Sequence, residues 1–218
     1  MFKTSFRYVD DEDDMSALQD AIRRRRRILR FRDEPIPESK LLQVLDAGRW
    51  APSHGDIQPL RMIIVCDEEI RRELLEMMGR RLKEYLPSEG GRGEARYSEE
   101  DLDLLPSAPV LVVACMTKEV FGDQPDRWMG EHAMGVQSVA AAIQNMLLVA
   151  HDVGLGGCWY TTPLFCPTAV RQALGIPQSV EPQAIVALGY PDEDPEPPRR
   201  KPFKEVIYLD SWGRRYPI

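Results

Sequence analysis

The run AMGVQSVAAAIQNMLLVAHDVGLG, residues 133–156, constrains the fold more than any other stretch. Val136, Val139, Ala140, Ile143, Met146, Leu147 and Ala150 recur at helical spacing on one face, and small residues fill much of the rest. The pattern predicts a central helix ended by Gly154, since glycine readily takes the left-handed conformation that closes a helix. A central helix needs apolar partners. RMIIVC (61–66) and VLVVAC (110–115) read as buried strands, and CWYTTPLF and AIVALGY as further strand-like segments.

Helical periods fill the rest of the chain. MSALQDAIRRRRRI places Met15, Leu18, Ile22 and, after a gap, Ile28 near helical spacing, so a helix is expected to run into the arginines. After a proline-flanked turn at Pro35 to Pro37, a second helix carries Leu41, Leu42, Leu45 and Trp50. A third spans Glu68 to Leu86 with Ile70, Leu74, Met77, Met78, Leu82 and Tyr85 on one side, and a short one lies around Thr168 to Leu174. Residues 87–107 lack an apolar period and read as a long lid-like loop. PDEDPEPPRRKP is a proline-rich linker, and residues 203–218 an extended arm. Helices alternating with short buried strands indicate an α+β or α/β domain of three layers.

Composition excludes several functions. With 28 Lys and Arg against 35 Asp and Glu the chain carries a formal charge of −7, the wrong field for a general nucleic-acid binder. Cys66, Cys115, Cys158 and Cys166 form no C-x-x-C pair and read as reduced, buried thiols. No apolar stretch is read as approaching the roughly 20 residues that span a bilayer, and the N-terminus turns acidic where a signal peptide turns hydrophobic. A cytoplasmic location is expected. His54, His132 and His151 have no zinc-ligand spacing, and neither G-x-S-x-G nor a P-loop occurs. His151 reads as structural, and Trp50, Trp128, Trp159 and Trp212 as core or interface residues.

Three stretches have the composition of binding elements. RRRRRILRF, residues 23–31, offers forked donors suited to a phosphate or carboxylate, though a helix would aim only two or three at one ligand. The alternative is a solvated helix end favoured by the macrodipole. APSHGDIQPL, residues 51–60, turns through Pro52, Gly55 and Pro59 while presenting Ser53, His54, Asp56 and Gln58, a set suited to a planar heterocycle or to a plain turn. In GLGGCWYTTP, residues 154–163, the glycines, Gly156 and Gly157 among them, let backbone approach a ligand or a partner chain. They follow a helix, so this is not a dinucleotide fingerprint.

Taken in order, RRRILRF followed by DEPIP, then APSHGDIQP, AAIQNMLLVAHDVGLGGCW, ALGYP and PRRKP resemble the nitroreductase family of FMN-dependent oxidoreductases, over residues from about 16 to 208. Order and spacing carry the resemblance, not any single motif. It implies a nitroreductase-like α+β fold: a three-layer α/β/α sandwich with a central mixed sheet, helices on both faces and an extended C-terminal arm. The whole of 1–218 would be one FMN-binding domain.

The resemblance also implies a site. The basic segment would hold the FMN phosphate through Arg25, Arg26 and Arg27, joined by Arg200 and Arg199 after the linker. The familiar form, R-R-S-x-R/K-x-F, has serine where Arg27 stands and a basic residue where Leu29 stands, so Arg30 or Arg27 is the candidate replacement. The familiar polar loop, A-P-S-x-x-N-x-Q-P-W, lies along the isoalloxazine ring. Pro52, Ser53 and Gln58 match it, while Asp56 replaces asparagine and Leu60 tryptophan. An ionised Asp56 lacks an amide donor, so it is expected either to point away from the ring or to be protonated. TTPLF would pass the flavin's reactive face, with backbone contacts from Pro163 and Leu164, and Gly156 and Gly157 complete the implied set.

Family members are homodimers with FMN at the subunit interface, each site built from both subunits. The implied reaction is ping-pong: NADH or NADPH reduces the flavin, and a small electron-poor acceptor, nitroaromatic- or quinone-like, reoxidises it. The cofactor carries the chemistry, so no catalytic side chain and no metal is assigned. Arg92, Arg96 and Tyr97 on the long loop, and Trp128, either shape the acceptor pocket or are ordinary exposed residues. Two alternatives remain open. One is a specialised relative that fragments flavin to a benzimidazole, dehalogenates, or oxidises azolines. The other is a non-catalytic flavin binder, favoured by the departures at Leu29, Asp56 and Leu60.

Overall fold

An apolar run with no polar alternation suits a strand covered on both faces, and residues 110–117 form that strand. The computed structural model describes residues 15–85, 108–122 and 125–217. In chain order they form α1 (Ala17–Arg24), α2 (Glu38–Arg49), β1 (Leu60–Val65), α3 (Glu68–Tyr85), β2 (Val110–Thr117), α4 (Pro125–Asp152), β3 (Gly156–Tyr160), α5 (Pro167–Leu174), β4 (Val180–Gly189) and α6 (Phe203–Val206), with one-turn 3-10 helices at His54–Asp56 and Thr162–Leu164. The side chains of Leu82 and Tyr85, and all of residues 87–107 with Arg92, Arg96 and Tyr97, lie outside the described residues.

Every residue of β2 is buried, and successive side chains enter two different cores. Leu111, Val113 and Cys115 pack with Leu74, Leu75 and Met78 of α3 and Ala169 and Val170 of α5. Val110, Val112, Ala114 and Met116 pack with Val44 and Leu45 of α2 and Val139, Ile143, Met146 and Leu147 of α4. Ile185 and Ala187 of β4 join the first core; Ala184, Val186 and Leu188 join the second. The result is the expected three layers. Where α2 crosses α4, Gly48 makes room: a Cβ there would stand 3.0 Å from Met146 Cγ.

The strand order is β1-β2-β4-β3, and all three pairs are antiparallel, with a register shift between Ala114 and Cys115. Parallel pairing among the described residues is confined to one bridge, Arg27 with Gly157, at the β3 edge. The chain divides into two compact units, Arg25–Pro195 and a second made of Met1–Arg24 with Glu196–Ile218. The sandwich is the first. In the second, Arg24 pairs with Asp20 at 2.7 Å along α1. The expected arm carries α6 and a turn closed by a Tyr208–Arg215 bridge, with the Tyr208 and Trp212 rings 4.6 Å apart.

Several expectations are corrected by tertiary packing. The first helix stops at Arg24, because Ile28 and Phe31 are buried and the chain must extend along the sheet edge to bury them. On α2 the core side is Val44, Leu45 and Gly48; Leu42 and Trp50 are 56% and 72% exposed. The connection expected before Trp128 is already helical, since α4 begins at Pro125, a residue tolerated in a first helical turn. CWYTTPLF is strand only to Tyr160, then a 3-10 turn. By length and composition the stretch Trp128–Asp152 is apolar enough to cross a membrane, contrary to the sequence reading. Its valines, leucines and alanines raise the mean hydropathy, and one face packs on the sheet. Cys66 is exposed at the end of β1, while the other three cysteines are buried and all four are free thiols. Burial pushes the Cys115 thiol up to about 12 and the Cys166 thiol to about 11.

Candidate functional site

Past the end of α1 the arginines lie on extended chain, and each has its own surroundings. Arg25 and Arg26 are half-buried, and an Arg26 terminal nitrogen donates to the Arg25 carbonyl at 3.0 Å. Arg27 donates from Nε to the Cys158 sulfur at 3.4 Å, across the sheet edge it bridges. The Ile28 N–H donates to the Gly157 carbonyl at 3.2 Å. Arg30 lies with its Nε 3.4 Å from Glu193 Oε2. The two candidates to replace a basic residue at position 29 therefore have partners inside the chain. Arg199 and Arg200 are exposed, in the second unit, on chain without regular structure.

Residues 53–58 form a tight turn with an unusual backbone. Gly55, Asp56 and Gln58 have φ of +55°, +56° and +46°, a region glycine visits freely, aspartate sometimes and glutamine seldom. Local hydrogen bonds hold it. The Ser53 carbonyl accepts from the Asp56 N–H at 3.2 Å, the Ser53 hydroxyl accepts from the Gln58 N–H at 3.1 Å, and the His54 N–H donates to Ser138 Oγ of α4 at 3.4 Å. Gln58 donates from Nε2 to Asp56 Oδ1 at 2.9 Å. An ionised carboxylate only accepts, so this contact fixes which end of the Gln58 amide faces Asp56 and leaves its carbonyl oxygen and one N–H for another partner. Pro52, Asp56 and Gln58 are exposed and Ser53 half-exposed.

The glycines of β3 serve contacts within the chain. A Cβ on Gly156 would stand 2.7 Å from Ile28 Cγ1, and one on Gly157 2.7 Å from Leu147 Cδ2. Pro163 is buried in its 3-10 turn, and Leu164 and Phe165 beside it are exposed.

The basic segment and the polar loop do not meet in one chain. Gly157 pairs with Leu188 and Leu188 with Val110, whereas Leu60, just after the loop, pairs with Met116. Three strand spacings separate the β3 and β1 edges, about 14 Å, and the run from Val110 to Met116 adds about 20 Å along the strands. The two elements stand at diagonal corners of the sheet.

A sandwich of this order, with an arginine segment on one edge and a polar turn before the other, has clear relatives. The model of the nitroreductase family matches residues 22–190. The chain belongs to the nitroreductase family. A Methanothermobacter thermautotrophicus protein called NADH dehydrogenase/NAD(P)H nitroreductase is 30% identical, covering 94% of this chain and 93% of its own. YfhC of Bacillus subtilis, called an NAD(P)H nitroreductase, is 29% identical over 87% of this chain and 92% of its own. An FMN complex from Desulfovibrio desulfuricans has the same fold, with a TM-score of 0.70, 23% identity, and coverage of 91% of this chain and 99% of its own.

Sequence reasoning did not find every partner in this nitroreductase-family chain. Ser138 of α4 steadies the polar loop. Glu181 of β4 accepts from His132 at 2.8 Å and lies 3.3 Å from the Lys118 amine, with Trp128 stacked on His132 at 4.9 Å between centroids. Burial alone would raise the Glu181 carboxyl, but the hydrogen bonds and charges of His132 and Lys118 outweigh it and hold the group below its usual range. No sequence signal joins these residues. Among the described residues no group of His, Cys, Asp or Glu is arranged to hold a metal.

Proposed function

We propose that this chain is an FMN-dependent oxidoreductase that passes electrons from NADH or NADPH to a small electron-poor acceptor of nitroaromatic or quinone type. The observation that carries the reading is the polar loop: three left-handed residues in four positions, held by Ser53 and Ser138. Backbone strain of this kind persists where the surroundings over-determine it, and it concentrates at ligand sites. The donor set suits FMN. Half-buried Arg25 and Arg26 match a phosphate, and the Ser53 hydroxyl, the outward Gln58 amide and exposed Asp56 offer short polar groups to a heterocycle. Pro52, Pro163 and Leu164 would supply backbone and apolar contact.

Bound FMN supplies the redox chemistry, in a ping-pong sequence with the two substrates. The chain's residues bind and orient. The guanidinium groups of Arg25 and Arg26 neutralise the phosphate, and Asp56 turns the Gln58 carbonyl outward as an acceptor for a ring N–H. The negative charge of Asp56 disfavours added electron density nearby.

The same reading includes a homodimer with FMN at the interface. Two features support it: the separation of the two binding elements across one sheet, and the exposed large apolar side chains Leu42, Trp50, Trp128, Met129, Trp159, Leu164 and Phe165. Four free thiols without a disulfide support a reducing, cytoplasmic setting.

The test is an absorbance spectrum of the protein reconstituted with FMN, before and after anaerobic NADH and NADPH, with sedimentation of the same sample. Flavin bands that bleach, on a dimer, are expected. Failure to take up flavin would overturn the cofactor, and bands that stay unbleached would leave a flavin binder in place of a reductase.

A further inference from the structure

Glu193 lies at the start of the acidic, proline-rich stretch after β4, where composition predicts a solvated linker. Its side chain is only 16% exposed. Oε1 accepts from the backbone N–H of Leu29 and, at 3.1 Å, from that of Arg30. Oε2 lies 3.4 Å from Arg30 Nε. One carboxylate thus gathers two consecutive main-chain donors and a guanidinium from the far end of the sequence.

The contact belongs to a seam. The Arg32 N–H donates to the Tyr190 carbonyl at 2.9 Å, the Asp192 N–H to the Arg30 carbonyl at 3.0 Å, and Phe31 bridges Pro191. Upstream, Ile28 is bonded to Gly157. Adjacent backbone N–H groups turned to one side form an anion receptor, which in many proteins takes a phosphate. Here the chain fills that receptor itself. Glu193 fixes the segment immediately after Arg25, Arg26 and Arg27, and it engages the cation of Arg30.

We infer that Glu193 is a positioning residue for FMN phosphate recognition: by occupying the Leu29 and Arg30 amides and engaging the Arg30 guanidinium, it presents Arg25 and Arg26, and not Arg30, to the phosphate. The inference rests on the FMN reading above. Glu193 itself touches no cofactor. Arg27, bonded to Cys158, helps hold the same stretch against β3.

The test uses the full chain titrated with FMN and, separately, with riboflavin, which has the same ring and no phosphate, followed by quenching of flavin fluorescence. Glu193→Ala should weaken FMN by about tenfold or more, the scale of losing hydrogen bonds to a charged group, with riboflavin changed less than about twofold. Glu193→Gln, which keeps an acceptor but loses the charge, should fall between. Arg30→Ala should leave FMN within about twofold, while Arg25→Ala and Arg26→Ala should each weaken it more. Circular dichroism identifies any variant that fails to fold, and the glutamine variant decides if the alanine one does. Equal weakening of FMN and riboflavin would make Glu193 a general brace and overturn the inference. Tighter FMN binding by either Glu193 variant would overturn it too, because the carboxylate would then be a competitor for the site. A wild-type chain that binds neither flavin would sink the FMN reading first and the inference with it.

Discussion

The basic segment and the polar loop are assembled in opposite ways. Residues 27–32 lack regular structure, and apart from Glu34 beside Arg32 the partners named for them are distant in sequence: Gly157, Cys158, Tyr190, Pro191, Asp192 and Glu193. The polar loop is held mainly by itself, Ser53 to Asp56 and Gln58 and Gln58 to Asp56, with one bond to Ser138 of α4. The first element depends on the completed sandwich. The second carries much of its own specification, at the cost of left-handed backbone at Asp56 and Gln58.

That contrast predicts graded responses. Phe31→Ala removes a buried ring that anchors the basic segment and should lower global stability by about 3–5 kcal/mol, read from the denaturant midpoint. A loss near zero would mean that the segment is not part of the cooperative fold. Gly156→Ala pushes a methyl against Ile28 and should cost about 1–3 kcal/mol. Ile28→Ala, which removes the Cγ1 and Cγ2 atoms the new methyl would meet, should cost less on the Gly156→Ala background than in the wild type, so the two changes should not be additive.

Ser53→Ala deletes the acceptor for the Gln58 N–H and should cost about 1 kcal/mol or less. Amide exchange should quicken within 53–58 while the β2 and β4 amides keep their protection. If they loosen too, the loop is not the self-contained element described. The smallest effect is one of pH. The Glu181 carboxyl is held low in the folded chain, so its contribution is complete above the ordinary value of 4.5 and fades as pH falls through the lower folded value. Stability against urea should drop over that acid range, and Glu181→Gln should flatten that part of the profile.

The same contrast explains what could be read in advance. The unbroken apolar run of VLVVAC and the three-to-four period of the central helix correctly predicted a sheet covered on both faces. A strand buried on both sides leaves no place for polar alternation, and a helix buried on one side repeats every three to four residues. The polar loop was legible as a turn through Pro52 and Gly55. Its left-handed Gln58 was not, since that residue type gives no sign of positive φ. The end of α1 was misread because arginine is a good helix former, and only the distant β3 edge pulls Arg25 to Arg27 into extended chain. Glu193 looked like linker because its two backbone partners lie 164 and 163 residues away.

The antiparallel sheet has a further consequence, for the order of assembly. Strands joined by tight turns can zip together in microseconds, but among the described residues no strand pair is a hairpin. Even β3 and β4, the nearest in sequence, are separated by a 3-10 turn and α5, while β1 waits for β2 across α3 and β2 for β4 across α4 and β3. Each closure costs chain entropy before its contacts form, so folding should be slow for a chain of this size, and β2, the strand shared by both cores, is the natural meeting point. The edge that carries the arginines is completed only when residues near both ends of the sandwich have found β3 and one another.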